Sequence, residues 1–314
     1  MSNTDYLNQG GRFEARYLAF LETIAQLRPS LHRYCARMTG SVMDGEDVVQ
    51  EALFEAYRKL DKFDDSRPLK PWLFRIAHNR CIDFLRKRGV RIEAETAATV
   101  PDTVAPADPQ VLGLSRAVEH LVTSLPPKER ACILLKNVFD YSLGEIAELV
   151  DSTVGGVKAA LNRGRAKLSA APAPSNSRRS TDLELTRVMK LYVDRFNRRD
   201  WDGVRELISA DARLTVADAF AGKLEEAPYF SNYELFAIPW RLAMGEVDDE
   251  PVVIILQRGA DTWTPHSAVR LTVVGQPIGR IVDYVHCPWV ISMADSVTVV
   301  AHHSWARMDT PCRT

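Results

Sequence analysis

The chain has 314 residues, with 40 Lys+Arg against 41 Asp+Glu and a hydrophobic share of 46%. Length alone points to about two or three domains, and the apolar content excludes a mainly disordered chain. A formal net charge of −1 at first sight excludes a nucleic-acid partner, but the distribution of charge removes that exclusion. No apolar run reaches the length of a membrane span. Residues 1–16 carry Asp5, Arg12, Glu14 and Arg16 where a secretory signal needs an apolar stretch. A cytoplasmic protein is therefore expected. Cys35, Cys81, Cys132, Cys287 and Cys312 are scattered with no CxxC pair, which reads as reduced thiols, neither a disulfide framework nor a zinc site.

The first block, residues 1–92, is helical in pattern. Val48, Val49, Ala52, Leu53, Ala56, Tyr57 and Leu60 recur at helical spacing, and so do Trp72, Leu73, Ile76, Ala77 and Phe84. Charge divides this block in two. Residues 44–65 hold eight acids (Asp44, Glu46, Asp47, Glu51, Glu55, Asp61, Asp64, Asp65) against three bases. Residues 67–91 hold eight bases (Arg67, Lys70, Arg75, Arg80, Arg86, Lys87, Arg88, Arg91) against Asp83 alone. The basic stretch is suited to phosphates and the acidic one to a basic protein surface, although either run also fits a plain solvated helix face.

Residues 93–110, rich in Ala, Thr, Pro and acid, read as a linker. The second block, residues 111–168, contains Ser142-Leu-Gly-Glu145, a capping box opening a short helix. The turn 150–153 follows, and then a helix over about 154–168 with Val157, Ala160, Leu161 and Leu168 facing inward. That second helix carries Lys158, Arg163, Arg165 and Lys167 and no acid. Two helices joined by a short turn, the second one basic, form a helix-turn-helix pattern, which an ordinary helical hairpin also satisfies. Gly155 and Gly156 weaken its first turn by about 1 kcal/mol each relative to Ala.

Residues 169–180 form a second linker of Ala, Pro and Ser with a basic pair. The third block, residues 181–314, opens with an amphipathic helix (Leu185, Val188, Met189, Tyr192, Phe196) and a second helix around Trp201, Val204, Leu207 and Ile208. Runs of β character follow at 212–216, 252–257, 268–274 and 278–285. Five of the six Trp lie here (Trp201, Trp240, Trp263, Trp289, Trp305). Helices followed by strands predict an α+β domain with helices on a curved antiparallel sheet. The fold class is multidomain, two all-α helical domains followed by one α+β domain.

The motifs of the first two blocks resemble extracytoplasmic-function RNA polymerase sigma factors. Asp44-Gly-Glu-Asp-Val-Val-Gln-Glu51 is similar to the family's DAEDLVQE in region 2. Pro71-Trp-Leu-Phe-Arg-Ile-Ala-His-Asn-Arg80, with Asp83 and Arg86-Lys-Arg88, is similar to WLxxIAxNxxxDxxR. Leu125-Pro-Pro-Lys-Glu-Arg130, Ser142-Leu-Gly-Glu-Ile-Ala147 and Val157-Lys-Ala-Ala-Leu-Asn-Arg163 resemble LPxxxR, SxxEIA and VKxxLxRAR in region 4. The resemblance implies that Asp47, Gln50 and Glu51 dock the β′ clamp helices of core RNA polymerase, and that region 4 meets the β flap. It implies −10 contacts for Arg75, Asn79, Arg80, Asp83, Arg86 and Lys87, with the loop 64–70 holding an extruded base. Trp72, which could stack on a base, is placed by its apolar spacing in the core with Ile76. The −35 duplex would face Ser152, Thr153, Lys158, Asn162 and Arg163, Asn and Arg being suited to adenine and guanine edges. Arg165 and Lys167 would clamp phosphates. No cofactor, metal or catalysis is implied.

In the third block, residues 185–216 resemble the start of SnoaL-like α+β cone domains, which implies a regulatory extension of the sigma factor. Phe220-Ala-Gly-Lys-Leu224 lacks the glycine-rich acidic motif that some extended sigma factors carry there. Related cones are enzymes that use Asp and His in a pocket as acid and base. Asp218, His266, Asp283, Tyr284 and His286 are the candidates for such chemistry or for a small ligand. The alternative is thus a cytosolic cone-type enzyme fused to a DNA-binding module, or a one-component repressor that uses only the helix-turn-helix. His286-Cys287 and His302-His303 lack the partner spacing of a metal site.

Overall fold

The computed structural model describes residues 3–64, 66–89, 124–170, 183–260, 262–273 and 277–300, with side chains from residue 17 onward. Asp65, Arg91, His302, His303, Trp305, Cys312, the segment 93–110 and residues 171–180 lie outside the described residues. The chain forms two compact units, Met1–Ser175 and Asn176–Thr314.

The first unit is helical: α1 (Asn3–Thr39), α2 (Val42–Arg58), a 3₁₀ turn (Leu60–Lys62) and α3 (Leu69–Lys87), then α4 (Pro127–Asn137), α5 (Leu143–Leu149) and α6 (Val154–Ala170). Local chemistry sets the boundaries. Gly40, at φ 85°, takes the left-handed conformation that ends α1, and the Ser41 hydroxyl caps α2 by accepting from the Asp44 N–H at 3.3 Å. Gly45 lets α2 approach α1 closely, since a Cβ there would stand 2.5 Å from the Ala36 backbone nitrogen.

The helices of both sequence blocks share one core. Tyr34 of α1, Phe74 of α3 and Phe139 after α4 form an aromatic triangle, with centroids 5.7 Å apart for Tyr34–Phe74, 5.9 Å for Tyr34–Phe139 and 5.3 Å for Phe74–Phe139. Arg130 of α4, almost fully buried, donates to the carbonyls of Met38 and, at 3.0 Å, of Leu125. Burial pushes its guanidinium down to about 10. Trp72 packs on the core edge against Phe63 at 4.7 Å, as its spacing predicts.

The second unit begins with α7 (Leu183–Asn197) and α8 (Trp201–Glu206). It continues through β1 (Ile208–Val216), β2 (Phe220–Lys223), α9 (Tyr229–Glu234), β3 (Trp240–Val247), β4 (Glu250–Arg258), β5 (Trp263–Val273), β6 (Ile278–Asp283), α10 (Trp289–Ser292) and β7 (Val297–Val299). One seven-stranded sheet runs β2-β1-β6-β5-β4-β3-β7. The α+β class is as expected, with two corrections. The sheet is mixed, because β1 and β6 pair in parallel (Leu214 opposite Ile281). The second helix stops at Glu206, and Ile208 already belongs to β1.

The segment from Asn197 to Gly203 fixes how the helices meet the sheet. The Asn197 side chain accepts from the Leu242 N–H and donates to its carbonyl, both at 2.8 Å, tying α7 to β3. Arg199, at φ 61°, lays its guanidinium 3.6 Å over the Trp240 ring. Asp200 caps α8 by accepting from Gly203 N–H at 3.0 Å.

His78 of α3 generates a prediction for the first unit. Buried beside Tyr34, whose hydroxyl is 2.8 Å from its Nδ1, it is lowered by burial to about 4. Its unfolded value is about 6.5. The stability it supports is complete above about 6.5 and is lost as pH falls toward 4, by on the order of 3 kcal/mol. His32, lowered chiefly by burial as well, adds in the same direction. Urea midpoints between pH 7 and 4.5 are expected to fall less steeply in His78→Gln than in wild type. Identical slopes would show that His78 is not the group responsible.

Candidate nucleic-acid interface

On α3 the helical repeat brings Arg75, Asn79, Asp83 and Arg86 to one stripe (i, i+4, i+8, i+11), opposite buried Phe74, Ala77, Cys81 and Leu85. Arg75, Asn79 and Arg86 are exposed and Asp83 is half-buried, with Arg86 3.3 Å from Asp83. Asn79, Asp83 and Arg86 line a cleft of about 470 Å³, closed across the way by Pro127 and Lys128 of α4 and by Val150. Lys87 is exposed at the end of the helix. Arg80 points elsewhere: its Nε donates to Glu55 of α2 at 2.5 Å. That hydrogen bond raises Arg80 above its ordinary value. Burial works against ionisation of Glu55, yet the bonds from Lys59 and Arg80 hold it below the usual carboxylate value.

The acidic helix α2 spends part of its charge internally. Glu46 is fully buried against Arg28, with His32 3.9 Å away. Asp44, also buried, pairs with Arg88 at 2.5 Å. Of the docking residues, Glu51 is exposed, while Asp47 and Gln50 are half-buried; the Gln50 amide donates to Glu46 at 3.2 Å. One turn beyond Gln50 and Glu51, Phe54 exposes 64% of its surface. Phe54 falls outside the apolar stripe of α2, a signal visible in the sequence.

The helix-turn-helix is built as its sequence predicts. Ser142 and Glu145 form the capping box, Ser142 N–H donating to Glu145 at 2.8 Å and Glu145 N–H to the Ser142 hydroxyl at 3.3 Å. Asp151, at φ 51°, turns the chain between α5 and α6, and the Thr153 hydroxyl accepts from Gly156 N–H at 3.0 Å. Gly156 leaves room for the Ser152 hydroxyl, which a Cβ would meet at 2.6 Å unless that side chain turned away. Val157, Ala160, Leu161 and Gly164 of α6 face inward, and Gly164 lies against Ile133 of α4, where a Cβ would stand 2.8 Å away. Lys158, Asn162 and Arg165 form the exposed stripe opposite (i, i+4, i+7), continued by exposed Thr153 and half-buried Ser152. Arg163 and Lys167 lie on the flank: Arg163 Nε donates to Glu129 of α4 at 2.9 Å, and Lys167 stands 3.1 Å from the other carboxylate oxygen as an ion pair without a hydrogen bond.

The acid–base candidates of the second unit divide between surface and core, with His286 near enough to act on the Asp283 carboxyl. Asp218 and His286 are exposed, and His266 lies 3.2 Å from the Val285 carbonyl through Nε2. Asp283 is fully buried and caged. One oxygen accepts from the Tyr229 and Tyr233 hydroxyls at 2.8 and 2.6 Å, the other from Val285 N–H at 2.9 Å. Burial raises its carboxyl above the usual value against these three bonds. Tyr192 joins at 3.3 Å through Tyr229. Tyr284, also buried, accepts a hydrogen bond from Ser267 at its carbonyl. The caged side chain ties α9 to the end of β6. Tyr233→Phe removes a direct bond to Asp283 and is expected to cost more than Tyr192→Phe, which removes only a neutral bond of about 0.5–1.5 kcal/mol. Chemical denaturation measures both; an equal or larger loss for Tyr192→Phe contradicts the assigned network.

The Sigma-70 region 2 family model matches residues 23–91 and the Sigma-70, region 4 model residues 115–168. The ECF RNA polymerase sigma factor SigW of Bacillus subtilis is 38% identical, across 48% of this chain and 87% of that protein. SigG of Mycobacterium tuberculosis is 26% identical, across 90% of this chain and 79% of that protein. Among solved structures, the extracytoplasmic function sigma factor SigJ of Mycobacterium tuberculosis is 18% identical over 84% of this chain and 95% of that one, at a TM-score of 0.34. The chain belongs to the ECF RNA polymerase sigma factors, which direct promoter-specific transcription initiation with core RNA polymerase.

Proposed function

We propose that three surfaces divide the work of initiation. The outer face of α2, with Asp47, Gln50 and Glu51 around exposed Phe54, docks the β′ clamp helices of core polymerase. The α3 stripe Arg75, Asn79, Asp83 and Arg86, extended by Lys87, contacts the −10 element, Arg and Lys on phosphates and Asn on a base edge. Arg80, tied to Glu55, contributes chiefly by fixing α3 against α2. The α6 stripe Lys158, Asn162 and Arg165 enters the −35 major groove beside Ser152 and Thr153, with Arg163 and Lys167 on its flank and region 4 held by the β flap. The observation that carries this reading is the exposed polar stripe of α6, set opposite the apolar face that fixes the helix on α4.

The second unit is proposed as a SnoaL-like regulatory extension that modulates polymerase binding through protein contact. Its α+β sheet and the similarity to SigG along 90% of the chain support that reading. The caging of Asp283 favours it over a cone enzyme or a site for a small ligand.

Titration with core polymerase tests the docking face. Glu51→Arg, a change at an exposed position, is expected to weaken binding by about tenfold or more while stability stays within about 0.5 kcal/mol. Unchanged affinity rules the α2 assignment out. A chain ending after residue 175 is expected to differ from the full chain in core affinity; equal affinity and equal transcription remove the regulatory role.

A further inference from the structure

Glu129 lies in the first turn of α4 with only 7% of its side chain exposed, and a buried carboxylate persists only where it is paired. One of its oxygens is hydrogen-bonded to a base of α6, and the other faces a second base one turn on as an ion pair only. Oε1 accepts from Arg163 Nε at 2.9 Å, and Oε2 lies 3.1 Å from Lys167 Nζ. Both bases remain open to solvent, with 40% and 48% of their side chains exposed. Engaging Nε sets the plane of a guanidinium, and a fixed plane is what bidentate reading of a guanine edge requires. α4 is itself immobilised on both sides, by the Arg130 bonds to Met38 and Leu125 and by the seating of Gly164 against Ile133.

We propose that Glu129 is a positioning residue for −35 recognition: it orients Arg163 and Lys167 on the recognition helix and so sets base discrimination without touching DNA. The inference rests on the assignment of Arg163 to the −35 element. Glu129 lowers the positive charge near the DNA face, so it works against phosphate affinity. Specificity and non-specific affinity should therefore move apart when its charge is removed.

The test uses holoenzyme reconstituted from the full chain and core RNA polymerase. The probes are a duplex library randomised at both promoter hexamers and, for non-specific binding, a duplex of scrambled sequence. Arg163→Ala is expected to flatten discrimination at one −35 base pair by about tenfold. Glu129→Gln is expected to flatten it at the same base pair, with binding to the scrambled duplex equal to wild type or tighter. Glu129→Gln added to Arg163→Ala should change discrimination no further. If Arg163→Ala keeps wild-type preferences, the −35 assignment of Arg163 fails and the inference falls with it. If Arg163→Ala shifts the preference and Glu129→Gln does not, the assignment stands and the positioning role is overturned. If Glu129→Gln loses scrambled-duplex binding and thermal stability together, Glu129 only holds α4 to α6, which also overturns it.

Discussion

Two adjacent residues of opposite charge, Glu129 and Arg130, are buried in the first turn of α4, and the helical unit is organised around them. Isolated buried charges are costly and survive only with matched partners. Arg130 finds carbonyls, one of them Met38 at the end of α1, and so fastens the C-terminal helices to the N-terminal ones. Glu129 finds Arg163 and Lys167 and so fastens the recognition helix. A single turn of helix thus transmits the position of α1 to α6. The aromatic triangle Tyr34–Phe74–Phe139 joins α1, α3 and the residues after α4 in the same core.

The same logic explains how a chain of formal charge −1 presents both an acidic and a basic face. Acidic α2 and basic α3 pack side by side, and the charges at their seam neutralise one another through Glu55–Arg80 and Asp44–Arg88. Glu46 turns inward to Arg28. What remains outside is a smaller acidic face around Glu51 and a basic stripe on α3. The acids of these pairs are buried or nearly so, and the desolvation of a buried ion offsets much of its attraction, so their importance lies in how charge is distributed over the surface. Net charge, being a sum, records none of this.

Much of the helical half was legible in the sequence because helix periodicity, the Ser142–Glu145 capping box and the order of the motifs all express local rules. The seam was not. Asp44, Glu46 and Glu55 read as three more acids of a docking face, since periodicity separates buried from exposed faces but does not name partners across a seam. Glu129 gave no signal in Leu125-Pro-Pro-Lys-Glu-Arg130, because its partners lie 34 and 38 residues further along. In the second unit β3 was missed: Trp-Arg-Leu-Ala-Met-Gly-Glu-Val does not alternate, and Gly245 is there because the Thr298 carbonyl approaches to 2.2 Å of where a Cβ would stand. The parallel pairing of β1 with β6 joins segments too distant in sequence for alternation to reveal. Asp283 was a candidate base on residue type alone; the tyrosines that cage it come from α9, a helix the sequence reading did not place.

The central claim, that this chain gives core RNA polymerase its promoter choice, is tested most directly by mapping the 5′ ends of transcripts made in vitro from sheared genomic DNA by core enzyme with and without the protein. The account predicts discrete new start sites that share two short sequence elements at constant spacing upstream. New starts without shared upstream elements, or no new starts at all, would contradict it.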